Sequence, residues 1–369
     1  MSASTIKILF IGPHRPNRNG SQRFRMEQYF SYLEAAGFSC DYSWFLDEKE
    51  DRMLYSTGNT GGKLRVFMKA IIIRLRDVLH ANKYDIIFIQ REALMTGSVF
   101  FEKQFARSKA KVVFDFDYAI WLEDTSDANK SLTWLKRPSK TADIIKLASL
   151  VIAGNNYLAD YARQFNKAVE IIPTVVDTTV FIPEKGAPDN RVCLGWSGSK
   201  TTVKHFATII PALKILKEKY GSQIFFKIMG DKNFKVDGLT IESVDWNFDD
   251  EIKELNKIDI GLMPLPDDTW AKGKCGFKAI QYMALKIPPV VSPVGVNTEI
   301  IQHGENGFLA SGSEEWLKCL SDLIETPELR NSIGTKARST VIERYSVQSQ
   351  AEKLIALLRD VIRKHNSTP

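Results

Sequence analysis

Three loops in this chain of 369 residues combine glycine with basic or small polar side chains in ways that suit an anionic or sugar ligand. The first is Gly12-Pro13-His14-Arg15-Pro16-Asn17-Arg18-Asn19-Gly20-Ser21. It is too long and proline-rich for the tight G-x-G-x-x-G turn of a dinucleotide site. Gly20 and Ser21 nevertheless open a helix, and the first N–H groups of a helix lack intrahelical acceptors and can face an anion or a sugar oxygen. Arg23 and Arg25 follow in the first turn, where cations oppose the helix dipole. A bound anion accounts for them, and Arg25 is expected to touch it. The second loop, Gly195-Trp196-Ser197-Gly198-Ser199-Lys200-Thr201-Thr202-Val203-Lys204, sets two lysines at a helix start behind small residues that allow close backbone approach. That combination fits a diphosphate, without the G-x-x-x-x-G-K-[ST] spacing of a triphosphatase. The third runs from Trp270 through Lys272-Gly273-Lys274-Cys275-Gly276-Phe277-Lys278 to Gln281. Lys278 and Gln281, three apart, share a helix face, and Lys274 and Lys278 would stabilise a leaving diphosphate as its charge develops. The plainer readings are a solvent-exposed loop, a chance cluster of small residues and an amphipathic helix with surface lysines.

The elements that must carry these loops alternate between continuous apolar runs and helical patterns. Strands are expected at 6–11, 40–44, 86–89, 112–116, 150–153 and 169–172, and again at 192–197, 224–229, 240–244, 258–263 and 288–292. Helices fall between them, at 22–36, 64–81, 142–148, 155–165, 203–219, 249–256, 276–285 and 296–302, with two more closing the chain from about 313. Residues 47–63 read as a polar stretch. Runs that are apolar without alternation suit parallel strands covered on both faces. Phe181–Asn190, with Pro183, Gly186 and Pro188, reads as a linker. Two successive βαβ arrays imply an α/β chain of two doubly wound domains with a cleft between them, ligands lying beyond the carboxyl ends of the strands. The boundaries are 1–183, 190–345, and a C-terminal helix over 346–369 packing back on the first domain.

Composition is that of a globular protein, 44% hydrophobic and 25% charged. Cys40, Cys193, Cys275 and Cys319 show neither CxxC nor Cys/His spacing, which speaks against a zinc site or disulfide framework and for a reducing cytoplasm. No leader-like segment and no apolar run of roughly 20 residues is present, so a membrane-crossing chain is not expected. The net charge of +6 is uneven: Lys63, Arg65, Lys69, Arg74, Arg76, Lys83 and Arg91 crowd one region. Leu64–Leu79 interleaves Phe67, Ile71, Ile72 and Leu75 with Arg65, Lys69, Arg74 and Arg76. It reads either as a helix resting on an anionic membrane surface or as a core helix with a basic outer face. No zinc-finger or RNP-like signature is present, so nucleic acid is not an expected partner.

Taken in order, the third loop with Gln281-Tyr282-Met283-Ala284 and Pro289-Val290-Val291-Ser292, Ile172-Pro173-Thr174-Val175-Val176-Asp177, Met229-Gly230-Asp231, Val294-Gly295 with Glu299, and His303-Gly304-Glu305-Asn306-Gly307-Phe308 resemble family 4 glycosyltransferases of the bacterial surface-polysaccharide type. The similarity runs from the Gly20 loop to the last helix. It implies the GT-B architecture of two facing Rossmann-like domains, and metal-independent, cofactor-free transfer of a hexosyl group from a UDP- or GDP-sugar with retention at the anomeric carbon. The implied acceptor is a glycan or glycolipid of polysaccharide or lipopolysaccharide assembly, and the implied place is the cytoplasm, at the inner face of the membrane. The pattern departs at three positions. The glutamate that holds the ribose hydroxyls aligns with Gln281, the other glutamate of the pair with Gly273, and the arginine of the diphosphate-binding pair with Ser199. Lys204 keeps the lysine of that pair, and Lys200 stands where it can replace the arginine.

By that resemblance Lys204, Lys200 and Lys278 contact the diphosphate, Gly20 and Ser21 close over it from the other domain, Gln281 holds ribose, and Asp245-Trp246 meets the base. Ser199, Lys274, Gly276 and Phe277 complete the donor set, with Lys204 and Lys278 acting in catalysis. Asp117, in Phe114-Asp115-Phe116-Asp117-Tyr118 past a strand's carboxyl end, is the catalytic candidate on the acceptor side; its plainer role is a helix cap. A nucleotide-sugar epimerase of the same fold, or a catalytically weak or inactive partner protein, remain the alternatives.

Overall fold

The computed structural model describes residues 5–56, 58–122, 137, 139–184 and 190–366. The chain divides into two compact units, Met1–Thr174 with Gln350–Pro369, and Val175–Ser349. The division thus falls before the proline-bearing stretch at 181–190, of which 185–189 lie outside the described residues. The last helix, Val347–Asn366, passes into the first unit at Gln350.

The first unit is built on a six-stranded parallel sheet of β1 (Ile6–Ile11), β2 (Phe38–Ser43), β3 (Ile86–Gln90), β4 (Lys111–Phe116), β5 (Leu150–Ala153) and β6 (Val169–Ile171). The spatial order is β2-β1-β3-β4-β5-β6. All five residues of β3 and all four of β5 are buried, as expected for strands covered on both faces. The helix expected at 22–36 is broken at Met26, whose φ of −140° leaves the helical region. It becomes a helix at Gly20–Arg25, a 3₁₀ turn at Glu27–Tyr29 and a helix at Phe30–Ala35. The polar stretch 47–63 holds a helix, Glu48–Leu54, opened by a reciprocal capping box between Asp47 and Glu50. That D-x-x-E spacing was legible in the sequence. A helix at Phe100–Arg107 also went unanticipated.

The second unit repeats the architecture with β7 (Val192–Ser197), β8 (Ile224–Met229), β9 (Ile241–Val244), β10 (Ile260–Met263), β11 (Pro289–Val291) and β12 (Phe308–Leu309), ordered β12-β11-β10-β7-β8-β9 and again parallel. Its core gathers Leu194, Trp196, Phe206, Leu213, Leu216, Phe226, Ile228 and Leu262. Three helices, not two, follow β12: Gly312–Glu325, Pro327–Arg344 and Val347–Asn366. Pro327 splits the first from the second, since proline at the first helical position has no N–H to lose. Reversal of strand order beside β10 and β7 puts their following loops at the switch point where such sheets bind ligands.

Candidate functional site

The loops after β7 and β10 are tied to one frame in the second unit. Tyr282, on helix Phe277–Ala284, accepts the Ser197 N–H at 2.9 Å. Its ring lies where a Cβ on Gly261 would stand, 2.4 Å away, so glycine in β10 lets the helix press onto the sheet. Beyond Ser197, Gly198 donates to the Met229 carbonyl at 2.9 Å, and Gly230, at φ +121°, passes so close that a Cβ there would lie 1.9 Å from the Gly198 oxygen. Only glycine fits both that φ and that approach. Ser199, expected among the donor contacts, uses its N–H on Thr202 Oγ1 at 3.0 Å and its carbonyl on the Thr202 N–H at 2.9 Å, so its backbone closes the turn. Lys200 and Lys204 emerge from this turn into solvent.

Two of the lysines expected at a diphosphate lie over aromatic rings. Lys278 Nζ lies 4.8 Å from the Trp196 ring centre and Lys274 Nζ 3.9 Å from that of Trp270. Burial pushes Lys278 down to about 8. His205 is pushed down to about 4, first by burial, then by the charges of Lys274, Lys278 and Lys204, with Asp268 opposing. Three ammonium groups therefore share one neighbourhood with a neutral imidazole. Gly276, at φ +65°, caps helix Phe277–Ala284, and a Cβ on it would meet Ile300 Cδ1 at 2.3 Å. This left-handed cap turns the chain so that Phe277 and Lys278 begin the helix beside the lysine cluster.

A second group joins three elements around one carboxylate. Gln281 Nε2 and Trp246 Nε1 each donate to Glu251 Oε1 at 3.1 Å. Glu251 is 4% exposed and Gln281 2%. The sequence reading missed Glu251, because a lone glutamate at a helix start carries no signal of a partner 30 residues away. Asp245, expected at the base, is paired with Lys232 at 3.0 Å, and the side chain and backbone N–H of Lys232 hold it below the usual carboxylate range. It lines a shallow groove with Met229, Val244, Asn247, Asp250 and Glu254.

In the first unit, Asp117 bonds Arg91 Nε at 2.9 Å, and Arg91 also reaches Ser21 Oγ. Burial works against ionisation of Asp117, but the charge and hydrogen bond of Arg91, with the hydroxyl of Ser21 and the charge of Arg25, outweigh it and hold the carboxyl below its usual range. Arg91 stands at φ +67°, a strained backbone for arginine, with its guanidinium 4.0 Å over the Tyr118 ring. The structure thus brings Ser21 to Asp117, while Gly20 lies exposed, with open space where a Cβ would stand. The anion that Arg25 meets is a protein carboxylate, not the ligand expected. Arg25 is 3% exposed, paired with Asp115 of β4 at 2.5 Å and bonded to the carbonyl of Ile172, just past β6, at 2.6 Å. Arg74, counted in the basic region, is likewise buried, tied to Asp77, Ser43, Ala93 and Gly12. Lys69 pairs with Glu50 at 2.6 Å. A further cluster that the sequence did not single out joins His14 to Asp51 at 3.2 Å, with Arg18 on the same carboxylate.

Among the described residues, no group of three or more His, Cys, Asp or Glu side chains is arranged to hold a metal ion, and no helix is long and apolar enough to cross a membrane. All four cysteines are free.

Residues 177–340 match the family described as glycosyl transferases group 1, a span that holds Lys200, Lys204, Lys274 and Lys278. No curated protein matches the chain. Among solved structures the chain is similar to a glycosyltransferase from Rickettsia africae, at 15% identity and a TM-score of 0.70, over 98% of this chain and 100% of that one. Sucrose-phosphate synthase from Thermosynechococcus elongatus gives 15% identity and a TM-score of 0.73 over 97% and 100%. HepE from Anabaena, solved in complex with UDP and glucose, gives 16% and 0.68 over 96% and 100%. At such identities the likeness speaks for the fold: two six-stranded parallel α/β units of the GT-B type, with the glycosyltransferase match on the second.

Proposed function

We propose that this chain is a glycosyltransferase that moves a hexosyl group from a UDP- or GDP-sugar to a glycan or glycolipid acceptor, and that it is of the family 4 type. The observation that carries the reading is the cluster of Lys204, Lys274 and Lys278 at the carboxyl edge of the second sheet, inside the segment that matches glycosyl transferases group 1. Breaking the bond between the anomeric carbon and the diphosphate leaves negative charge on the departing oxygen, and fixed cations there lower the barrier. Because lysines supply that charge, the proposed reaction needs no metal ion. Lys204 and Lys278 are assigned the diphosphate, with Lys200 and Lys274 beside them. Gln281 is assigned the ribose, its amide oriented by Glu251, and Trp246 the base.

Asp117 is assigned to the acceptor side. A carboxylate held in its ionised form by Arg91 is a weak base, so its role is to orient a hydroxyl and to stabilise positive charge on the sugar. Retention follows if the acceptor oxygen reaches the anomeric carbon on the face that the diphosphate leaves. Contact with a lipid-borne acceptor of polysaccharide or lipopolysaccharide assembly is supported by helix Thr60–His80. Its core side is Val66, Ala70, Arg74 and Asp77, and Leu64, Met68, Ile72, Leu75 and Leu79 stand outward, 43–81% exposed, beside Arg65 and Arg76. An apolar stripe flanked by arginines suits the inner face of an anionic membrane.

The test is a thermal-shift screen with UDP-, GDP- and ADP-sugars, repeated with chelator present. At least one should raise the melting temperature of the natural chain, and K204M/K278M should abolish that shift. A flat response to every donor refutes the assignment.

A further inference from the structure

We propose that the stacked rings of His205 and Trp270 belong to the donor site, where His205 Nε2 and Trp270 Nε1 hydrogen-bond a diphosphate oxygen and binding draws a proton onto His205. The ring centres lie 5.6 Å apart with planes inclined by 30°. His205 is 6% exposed, and its Nε2 and the Trp270 Nε1 are both buried without a hydrogen-bond partner among the described residues. Most buried polar atoms of a folded protein are hydrogen-bonded, and two orphans on adjoining rings call for an acceptor that reaches both. The charged groups that act on this imidazole are Lys204 on its own helix, Lys274 and Lys278 from the segment after β10, and Asp268 at the start of helix Thr269–Lys272. Three cations against one anion select a multiply charged anionic ligand, and they keep the imidazole neutral until that ligand arrives. Burial first, and then the three lysines, push His205 down to about 4. A diphosphate cancels most of the lysine field, so His205 regains proton affinity and joins the lysines as a cation. The sequence reading named Trp270 only as the start of the third loop and passed over His205, since the two become a pair only when β7 and β10 lie side by side.

This inference rests on the nucleotide-sugar reading, and the experiment separates the two. Calorimetric titration with UDP-glucose and GDP-mannose from pH 5.0 to 7.5, in two buffers of different protonation enthalpy, measures affinity and proton uptake together. The diphosphate diester of a nucleotide sugar has no group that titrates in that window. The natural chain should take up a proton near pH 5 and bind more tightly there than at pH 7.5, by up to about 25-fold if His205 recovers the ordinary histidine value of 6.5. H205Q keeps an N–H donor without a titrating ring, so it should bind with no proton uptake near pH 5 and no slope from pH 5 to 6.5, where Lys278, pushed down to about 8, already carries its proton. W270F should weaken binding severalfold while keeping the slope. Unchanged melting of each variant in the absence of ligand shows that the site, not the fold, has been altered. H205Q that retains the natural uptake and slope overturns this inference alone, as does tight binding by the natural chain with no proton uptake. Binding of neither sugar nucleotide overturns both readings.

Discussion

Exchanging the acid and the amide at Glu251 and Gln281 tests whether this pair works as one unit. In the natural chain a single carboxylate oxygen accepts two N–H groups, each at 3.1 Å, in a place where Glu251 and Gln281 are almost fully buried. Q281E replaces one donor by a second carboxylate. At an effective dielectric of about 20, two unit charges about 4 Å apart repel by about 4 kcal/mol, and loss of the hydrogen bond to a charged group adds about 1.5–3 kcal/mol. The folded protein escapes part of this by keeping a proton on one of the two carboxyls, so a destabilisation of about 3–5 kcal/mol is expected at pH 7.5. The sign of its pH dependence follows. A carboxyl whose folded pKa is raised favours folding at low pH and loses that contribution as pH rises through the folded value, so Q281E should recover stability on acidification.

E251Q alone keeps both geometries with a neutral acceptor and should cost about 1 kcal/mol. The double exchange E251Q/Q281E has one acid and one amide again. Its amide at position 251 can accept from Trp246 through the oxygen and donate to the carboxylate at position 281 through the nitrogen, which should return stability to within about 1 kcal/mol of the natural chain. The assay is urea unfolding of the four proteins at pH 5.5 and 7.5, paired with nucleotide-sugar affinity. Q281E as stable as the natural chain at pH 7.5, or a double exchange no better than Q281E, would refute the reasoning.

Three other outcomes follow from particular side chains. Lys278, pushed down to about 8, must gain a proton to meet an anion at higher pH, so donor affinity should fall above pH 8 by at most about tenfold per unit; titration of K278R should show that limb moved to higher pH. R25A leaves Asp115 buried with its charge unmatched and should cost about 3–5 kcal/mol in urea unfolding at pH 7.5, whereas R25A/D115N should recover most of it. I72E and L79E should abolish sedimentation of the protein with anionic vesicles while leaving the melting temperature unchanged, and sedimentation as strong as that of the natural chain would remove the outward stripe from the membrane reading.

The architecture was legible because its signal is local. Parallel strands buried on both faces are mostly apolar, and β1, β5, β7 and β8 fall at the expected residues for that reason, with Lys7 and Lys227 the charged exceptions. The lysine-bearing loops were legible too, as glycine and lysine at strand ends need only sequence neighbours to be noticed. What escaped was either masked by polarity, as with the helix Glu48–Leu54, or split by one residue, as at Met26.

The sequence by itself determined that two Rossmann-like units follow one another and that the second carries basic, glycine-rich loops. Only the tertiary structure decided which charges are available to a ligand, because that depends on partners far away along the chain. Arg25 and Arg74 read as ligand-facing or surface cations, yet each is buried against groups dozens of residues distant, Asp115 for one and the Gly12 carbonyl for the other. Lys278 and Lys204 read the same way and remain beside the imidazole of His205. A carboxylate also stands against Gln281, that of Glu251 from another helix, a contact that packing makes and that no spacing in the sequence announces.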